Sequence, residues 1–284
     1  MSESSILRLG LFYDGAFFQR ISDYYLHHHP RRSRLSFTGL HDFLREETAV
    51  RMDTDPARTR VVEAHYYRGR LPTRMATERD VVVGERSWDE SLMYAGIEPH
   101  YQPLLVGSGG RLEEKGIDVA LALDAYDLAR RAEIDVLVLI AGDGDFYPLL
   151  RRLHATGTAT LLPVWDVDYV DDRGGERQLR AAGRLRAEAT WSVDMPVRIE
   201  ALARTHPIRV ASLFVSRREA VVAERPTPAS EGPLEEHDSV AAPVLPPDAT
   251  DAGAPETSGR GRGSLPAAGA GSGNLDYDAV GYPL

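Results

Sequence analysis

Along the first 190 residues short unbroken apolar runs alternate with stretches of helical period. This is the pattern of βαβ units around a parallel sheet, whose strands are covered on both faces and therefore lose the in–out alternation of a half-exposed strand. Residues 6–13 predict a first strand. Residues 38–51, with Leu40, Phe43 and Leu44 at helical spacing, predict a helix before a second strand at 60–67. A helix within 72–95, ending near Gly96, precedes a weak strand at 99–103. Strong signals follow for a helix at 117–132, a strand at 135–141, a helix at 146–155 and a strand at 158–165, with a closing helix at 175–190. Short strands joined by modest loops fit a three-layer α/β/α sandwich on a mainly parallel sheet. The expected domain is residues 1–190. Residues 191–222 form an extension, helical over 196–204 and a strand over 209–215, whose packing the pattern leaves open.

Composition changes the picture at the C-terminal end. The last 62 residues hold 9 of the 18 prolines and 9 of the 25 glycines, too little apolar surface to offset the entropy of ordering. Residues 223–284 are expected to be a disordered acidic tail, able to serve as a protein-docking or solubilising segment. They contribute −7 of the formal net charge of −10, leaving −3 for the other 222 residues. The near-neutral body removes the objection that an acidic protein repels nucleic acid. Without cysteine the chain has neither disulfides, thiolate metal ligands nor a thiol nucleophile. The opening MSESSILRLGLFYDG lacks a basic region before its apolar run, and no stretch approaches the ~20 apolar residues of a membrane span. The expectation is a cytoplasmic protein with no membrane contact.

Chemistry concentrates at strand ends. In VLVLIAGDGDFYPLL a buried strand runs into Gly142-Asp143-Gly144-Asp145 and then a helix, and the first strand likewise ends in FYDG, at Asp14. Ligands bind beyond the carboxyl ends of parallel strands, so two strands delivering aspartates to one edge suggest a shared cation. Structural alternatives stand beside this. Asp-Gly pairs form turns and an aspartate before a helix caps it, a role open to Asp145 that would leave Asp143 without local duty. Asp118 opens the helix IDVALALDAYDLARR, where it either joins the cation site or complements the helix dipole. Asp124, six residues on and about 120° around the helix, points elsewhere. Mg²⁺ and Mn²⁺ prefer such oxygen ligands, and bound to them can activate water and clamp a phosphodiester.

FYDGAFF, KGIDVALALDAYDLA and IDVLVLIAGDGDFYPLLRRLHATGT together resemble the NYN domain, the LabA-like branch of the PIN-like nucleases, over residues 7–190. The resemblance implies a Rossmann-like sandwich and a Mg²⁺- or Mn²⁺-dependent ribonuclease site of Asp14, Asp118, Asp143 and Asp145. It also makes Lys115, in the KG-x-D lead-in, a contact for the scissile phosphate. Two positions depart from the family pattern. Phe17 stands where asparagine is frequent, and Ala141 where serine or threonine commonly precedes the glycine.

Further signals are weaker. Asp166 and Asp168 in WDVDYVDD lie just past the last clear strand, within reach of a metal site or as a solvated loop. Arg32 and Arg34 after a triple histidine, and Arg68 and Arg70 leaving the second strand, suit phosphate contact with single-stranded RNA, or are ordinary solvated arginines. The expected function is metal-dependent endoribonuclease. The alternative is a catalytically weak NYN module binding RNA or a protein partner, and the pattern leaves room for a homodimer. A metabolite phosphatase is disfavoured because the first strand lacks Asp-x-Asp.

Overall fold

The structure, a computed structural model, describes residues 6–107 and 112–215. Strand β1 (Leu7–Asp14) leads into α1 (Gly15–Asp23), which continues as a π-helical turn over Tyr24–His28. Helix α2 (Phe37–Arg51) precedes the long strand β2 (Thr59–Arg70). Helices α3 (Thr73–Glu78) and α4 (Val82–Tyr94) replace the single helix expected over 72–95. Asp80, at φ +55°, breaks the helical path between them. Next come β3 (Glu98–Pro103), a small hairpin of β4 (Leu105–Val106) and β5 (Leu112–Glu113), α5 (Ile117–Arg130) and β6 (Val136–Ile140). Helix α6 (Tyr147–Thr156) and β7 (Ala159–Val164) follow.

Six strands form one parallel sheet in the order β10-β7-β6-β1-β2-β3, the outermost being β10 (Trp191–Asp194). Its two faces carry separate cores. On one face Leu9, Leu11 and Tyr13 of β1 meet Phe17, Phe18 and Ile21 of α1 and Leu40, Phe43 and Leu44 of α2. On the other, Phe12 of β1 and Leu137 and Leu139 of β6 meet Leu121 and Ala125 of α5 and Leu149, Leu150 and Leu153 of α6. The alternation of Leu11, Phe12 and Tyr13 between the cores is the period of two expected of a strand, hidden in the sequence because both faces are apolar. The three-layer α/β/α sandwich is therefore present.

Beyond β7 the sequence expectations need correction. Residues 175–190 do not form one helix. Strands β8 (Val167–Val170) and β9 (Glu176–Leu179) pair antiparallel, and only α7 (Gly183–Glu188) is helical. The Asp171 carboxylate accepts from the Arg173 and Gly175 N–H groups at 3.0 and 2.7 Å, and Gly174 takes φ +79°, so a tight turn wins over helical propensity. Residues 191–215 join the sheet and core: after β10, α8 (Met195–Thr205) and α9 (Pro207–Ser212) bury Met195, Ile199, Leu202 and Val210. The strand expected over 209–215 is thus mostly α9, with Phe214 alone bridging to Leu35. The tail expected over residues 223–284 lies outside the described residues. Among the described residues no helix is long and apolar enough to cross a membrane.

Candidate active site

Successive crossovers carry the chain from β1 outward through β2 to β3, and then back across β1 to β6. The carboxyl ends of β1 and β6 therefore flank the topological switch point, where open parallel sheets leave a crevice. Asp14 closes β1, and its Oδ1 accepts from the Phe17 N–H at 3.1 Å, capping α1. Gly15 makes this corner: a Cβ there would come within 2.7 Å of the Tyr66 ring and the Tyr67 carbonyl oxygen. The Tyr66 hydroxyl donates to the Gly15 carbonyl at 3.1 Å, fixing the turn from β2.

The loop after β6 is held equally closely. A Cβ on Gly142 would lie 2.5 Å from the Phe17 ring, and the Gly142 carbonyl accepts from the Ala182 N–H at 2.9 Å. Asp143 caps the 3₁₀ turn Gly144–Phe146, accepting from the Asp145 N–H at 2.9 Å. Asp145 pairs with Arg184 at 3.1 Å. The capping duty thus falls on Asp143, and not on Asp145, for which the sequence had left it open. On the far side of the crevice Asp118 sits in the first turn of α5.

Electrostatics ties these side chains together. Burial pushes the Asp14 carboxyl up to about 7. The Phe17 N–H and Arg20 oppose that shift, while the Asp118 and Glu114 carboxylates reinforce it. Asp118 reaches solvent, yet desolvation followed by repulsion from Asp143, Glu114 and Asp145 pushes it up to about 6. Asp14 and Asp118 are consequently held toward their neutral forms, and a cation at this edge would favour ionising them. Glu114 escaped the sequence analysis. Its Oε1 accepts from the Gly69 N–H at 2.8 Å, anchoring the lead-in to α5 on the end of β2; its place in EEKGID beside Lys115 was the available signal.

The remaining candidates fall elsewhere. Lys115 is exposed and pairs with Glu113 at 3.0 Å. Asp124 accepts from the Tyr67 hydroxyl at 2.8 Å, below Asp118 on α5. Asp166 pairs with Arg186 at 2.7 Å, and Asp168 takes Arg180 at 2.8 and 2.9 Å. Arg70 is held by Asp89 at 2.9 Å and Glu85 at 3.3 Å and lies over the Tyr101 ring. Arg68 is buried, and with Arg34 it faces Asp23, whose carboxyl burial pushes up to about 6. Arg32 is exposed and donates to the His27 carbonyl. Among the described residues, the group of three or more His, Asp or Glu side chains with ligand atoms mutually within 4.8 Å is His65, Glu98 and His100, which the sequence analysis missed. No three of the four aspartates close to that spacing.

A six-stranded parallel α/β/α domain with acidic groups at its switch point defines the class. More narrowly, the NYN domain family model matches residues 8–166, more than half of the chain, and the protein belongs to that family. A solved structure, that of a protein of unknown function from Vibrio parahaemolyticus, is similar at 18% identity and a TM-score of 0.43, over 69% of this chain and 96% of that one. No curated protein sequence matches the chain.

Proposed function

We propose that this protein is a metal-dependent endoribonuclease that hydrolyses RNA phosphodiester bonds at Asp14, Asp118, Asp143 and Asp145. The observation that carries the proposal is the gathering of Asp14, at the end of β1, and Asp118, on α5, at the switch point, both carboxyls raised first by burial, Asp14 then by Asp118 and Glu114, and Asp118 by Asp143, Glu114 and Asp145. An all-oxygen donor set of this charge fits Mg²⁺ or Mn²⁺ and offers no soft ligand. Such an ion, when bound, would supply Lewis-acid activation of water and of the phosphodiester and would offset the crowding of charge. The chain's own residues do the rest. Asp14 and Asp143 are fixed by the N–H groups they cap, so these two carboxylates need little reorganisation, while Asp118 reaches solvent from the first turn of α5. Lys115 and Arg184, both exposed at the rim, supply cations to the RNA backbone. Membership of the NYN family and the resemblance to PIN-like nucleases support this reading.

The test is cleavage of labelled single-stranded RNA by the full chain, with Mn²⁺ or Mg²⁺ against EDTA. Asp143→Asn keeps a capping side chain and should retain the fold while losing at least a hundredfold in rate, about 2.7 kcal/mol of barrier. Cleavage that survives both EDTA and Asp143→Asn refutes the assignment.

A second reading, a non-catalytic module that binds RNA or a protein partner, is favoured by one observation. Phe17 is 2% exposed with its ring against Gly142, and Ala141 is buried among apolar side chains. Apolar groups thus fill positions that in the family often carry hydrogen-bonding side chains beside the acidic site. RNA binding without product at any metal concentration would select this reading.

A further inference from the structure

The tripeptides Glu63-Ala-His65 and Glu98-Pro-His100 lie on β2 and on the edge strand β3. Register places His65 opposite Glu98 and Tyr67 opposite His100, so both histidines and both glutamates project from the α5 face of the sheet. His65 Nδ1 lies 3.0 Å from His100 Nε2 and 3.8 Å from Glu98 Oε2. On its other side His65 Nε2 lies 3.1 Å from Glu63 Oε2. A carboxylate only accepts, so Glu63 fixes the His65 proton on Nε2 and turns the Nδ1 lone pair toward His100 and Glu98. The His100 ring is held flat against Tyr67, centroids 4.4 Å apart and planes 6° apart, and Tyr67 in turn donates to Asp124 at 2.8 Å.

We propose that His65 Nδ1, His100 Nε2 and a Glu98 carboxylate oxygen form a binding site for a borderline transition-metal ion of the Zn²⁺ class. The Zn–N bond is about 2.0–2.1 Å, so two nitrogens 3.0 Å apart can share one ion. Two imidazoles and a carboxylate suit Zn²⁺, Co²⁺ or Ni²⁺ and are a poor set for Mg²⁺. Glu63 is the outer carboxylate that orients and polarises a metal-bound histidine. On binding, the proton that His100 Nε2 donates to His65 moves to His100 Nδ1 through solvent. Both imidazoles stay neutral and no net proton is released. The exposed side of Glu98 leaves room for water to complete the coordination. The group includes none of the four aspartates, and His65 pairs with Phe12, two residues before Asp14 in β1. An ion there would clip the edge strand to the body of the sheet.

The test uses the full chain without a polyhistidine tag, stripped with EDTA and dialysed, then titrated with Zn²⁺ by calorimetry and with Co²⁺ by visible absorption. The expected result is one equivalent bound at the histidine site, a Co²⁺ ligand-field band, and a rise in melting temperature with Zn²⁺. His100→Gln should abolish the band, while Glu98→Gln and Glu63→Gln should weaken binding by about 10- to 100-fold. His27→Gln, His28→Gln and Asp143→Asn should leave it unchanged, and excess Mg²⁺ should not displace the ion. Should His100→Gln fail to fold by circular dichroism, the exposed Glu98→Gln decides alone. Equal binding in wild type and Glu98→Gln, or no stoichiometric binding by the folded wild type, overturns the proposal.

Discussion

At the scale of single residues, what an aspartate or histidine does depends on its partners more than on its type. The GDGD loop shows how much can be read ahead of a structure. That two carboxylates leave β6 at the carboxyl edge follows from an apolar run ending in Asp143-Gly-Asp145, but which of them caps the next turn depends on torsion angles the letters do not carry. Arg68 and Arg70 were expected to leave the second strand after Tyr67, yet β2 runs three residues further, carrying Arg68 inward and giving Arg70 to Asp89 and Glu85. His41 permits a clean prediction. It is buried, its Nε2 has no hydrogen-bond partner, and desolvation lowers its pKa to about 4. Between pH 4 and 6.5 the unfolded chain therefore binds a proton that the folded chain refuses, so stability contributed by neutral His41 falls as pH drops through that window. His41→Leu should remove this loss, raising stability relative to wild type by on the order of 2–3 kcal/mol near pH 4 and by much less at pH 8. Urea denaturation at the two pH values measures it, and a gain that does not depend on pH would contradict the burial argument.

At the scale of elements, long segments with one dominant period were legible and short ones governed by turns or tertiary contacts were not. β1, α2, α5, β6 and α6 announce themselves through apolar spacing. Strand β10 has only four residues and is a strand because it pairs with β7, and the β8–β9 hairpin exists because Asp171 and Gly174 make its turn. The docking of α8 was equally hidden. Part of it rests on Glu47 of α2, 2% exposed, which takes Arg198 of α8 at 2.7 Å and Arg51 at 2.9 Å, with Arg209 of α9 at 3.7 Å. Burial would raise its pKa, but the Arg198 and Arg51 hydrogen bonds outweigh burial and hold the carboxyl below its ordinary range. This stability is present above the unfolded value and is lost as pH falls through the folded one. Glu47→Gln should cost about 1–3 kcal/mol at pH 7, tempered because the arginine ends reach solvent. Chemical denaturation that finds less than about 0.5 kcal/mol would show that α8 is held by Ile199 and Leu202 alone.

At the scale of the whole molecule, the alternation of strands and helices pointed to a parallel sheet with its acids at one edge, but the switch point between β1 and β6 follows from the spatial order of the strands. Which acids meet there needed the register. The histidine site was invisible for the same reason, since Glu63-x-His65 and Glu98-x-His100 lie 35 residues apart and become one group only when β3 is seated beside β2. The acidic site couples to global stability in a way that separates a cation-binding role from an incidental cluster. Folded Asp14 and Asp118 have pKa values raised to about 7 and about 6 from an ordinary 3.8. The folded state therefore holds protons that the unfolded state has lost, and these groups favour folding at low pH and oppose it as pH rises through 6 and 7. In EDTA, Asp14→Asn should thus melt higher than wild type at pH 8, by about 2–4 °C per kcal/mol of relieved burial cost and repulsion, and should lose most of that advantage near pH 4. Mg²⁺ or Mn²⁺ binds the ionised carboxylates and the folded state alone, so it should raise the wild-type melting temperature at pH 8, do little at pH 5, and do little to Asp14→Asn at either. A melting temperature indifferent to Mg²⁺ and Mn²⁺ at pH 8, with Asp14→Asn still stabilising, would mean that the strain at the switch point is borne without a cation, and would move the assignment from nuclease to binding module.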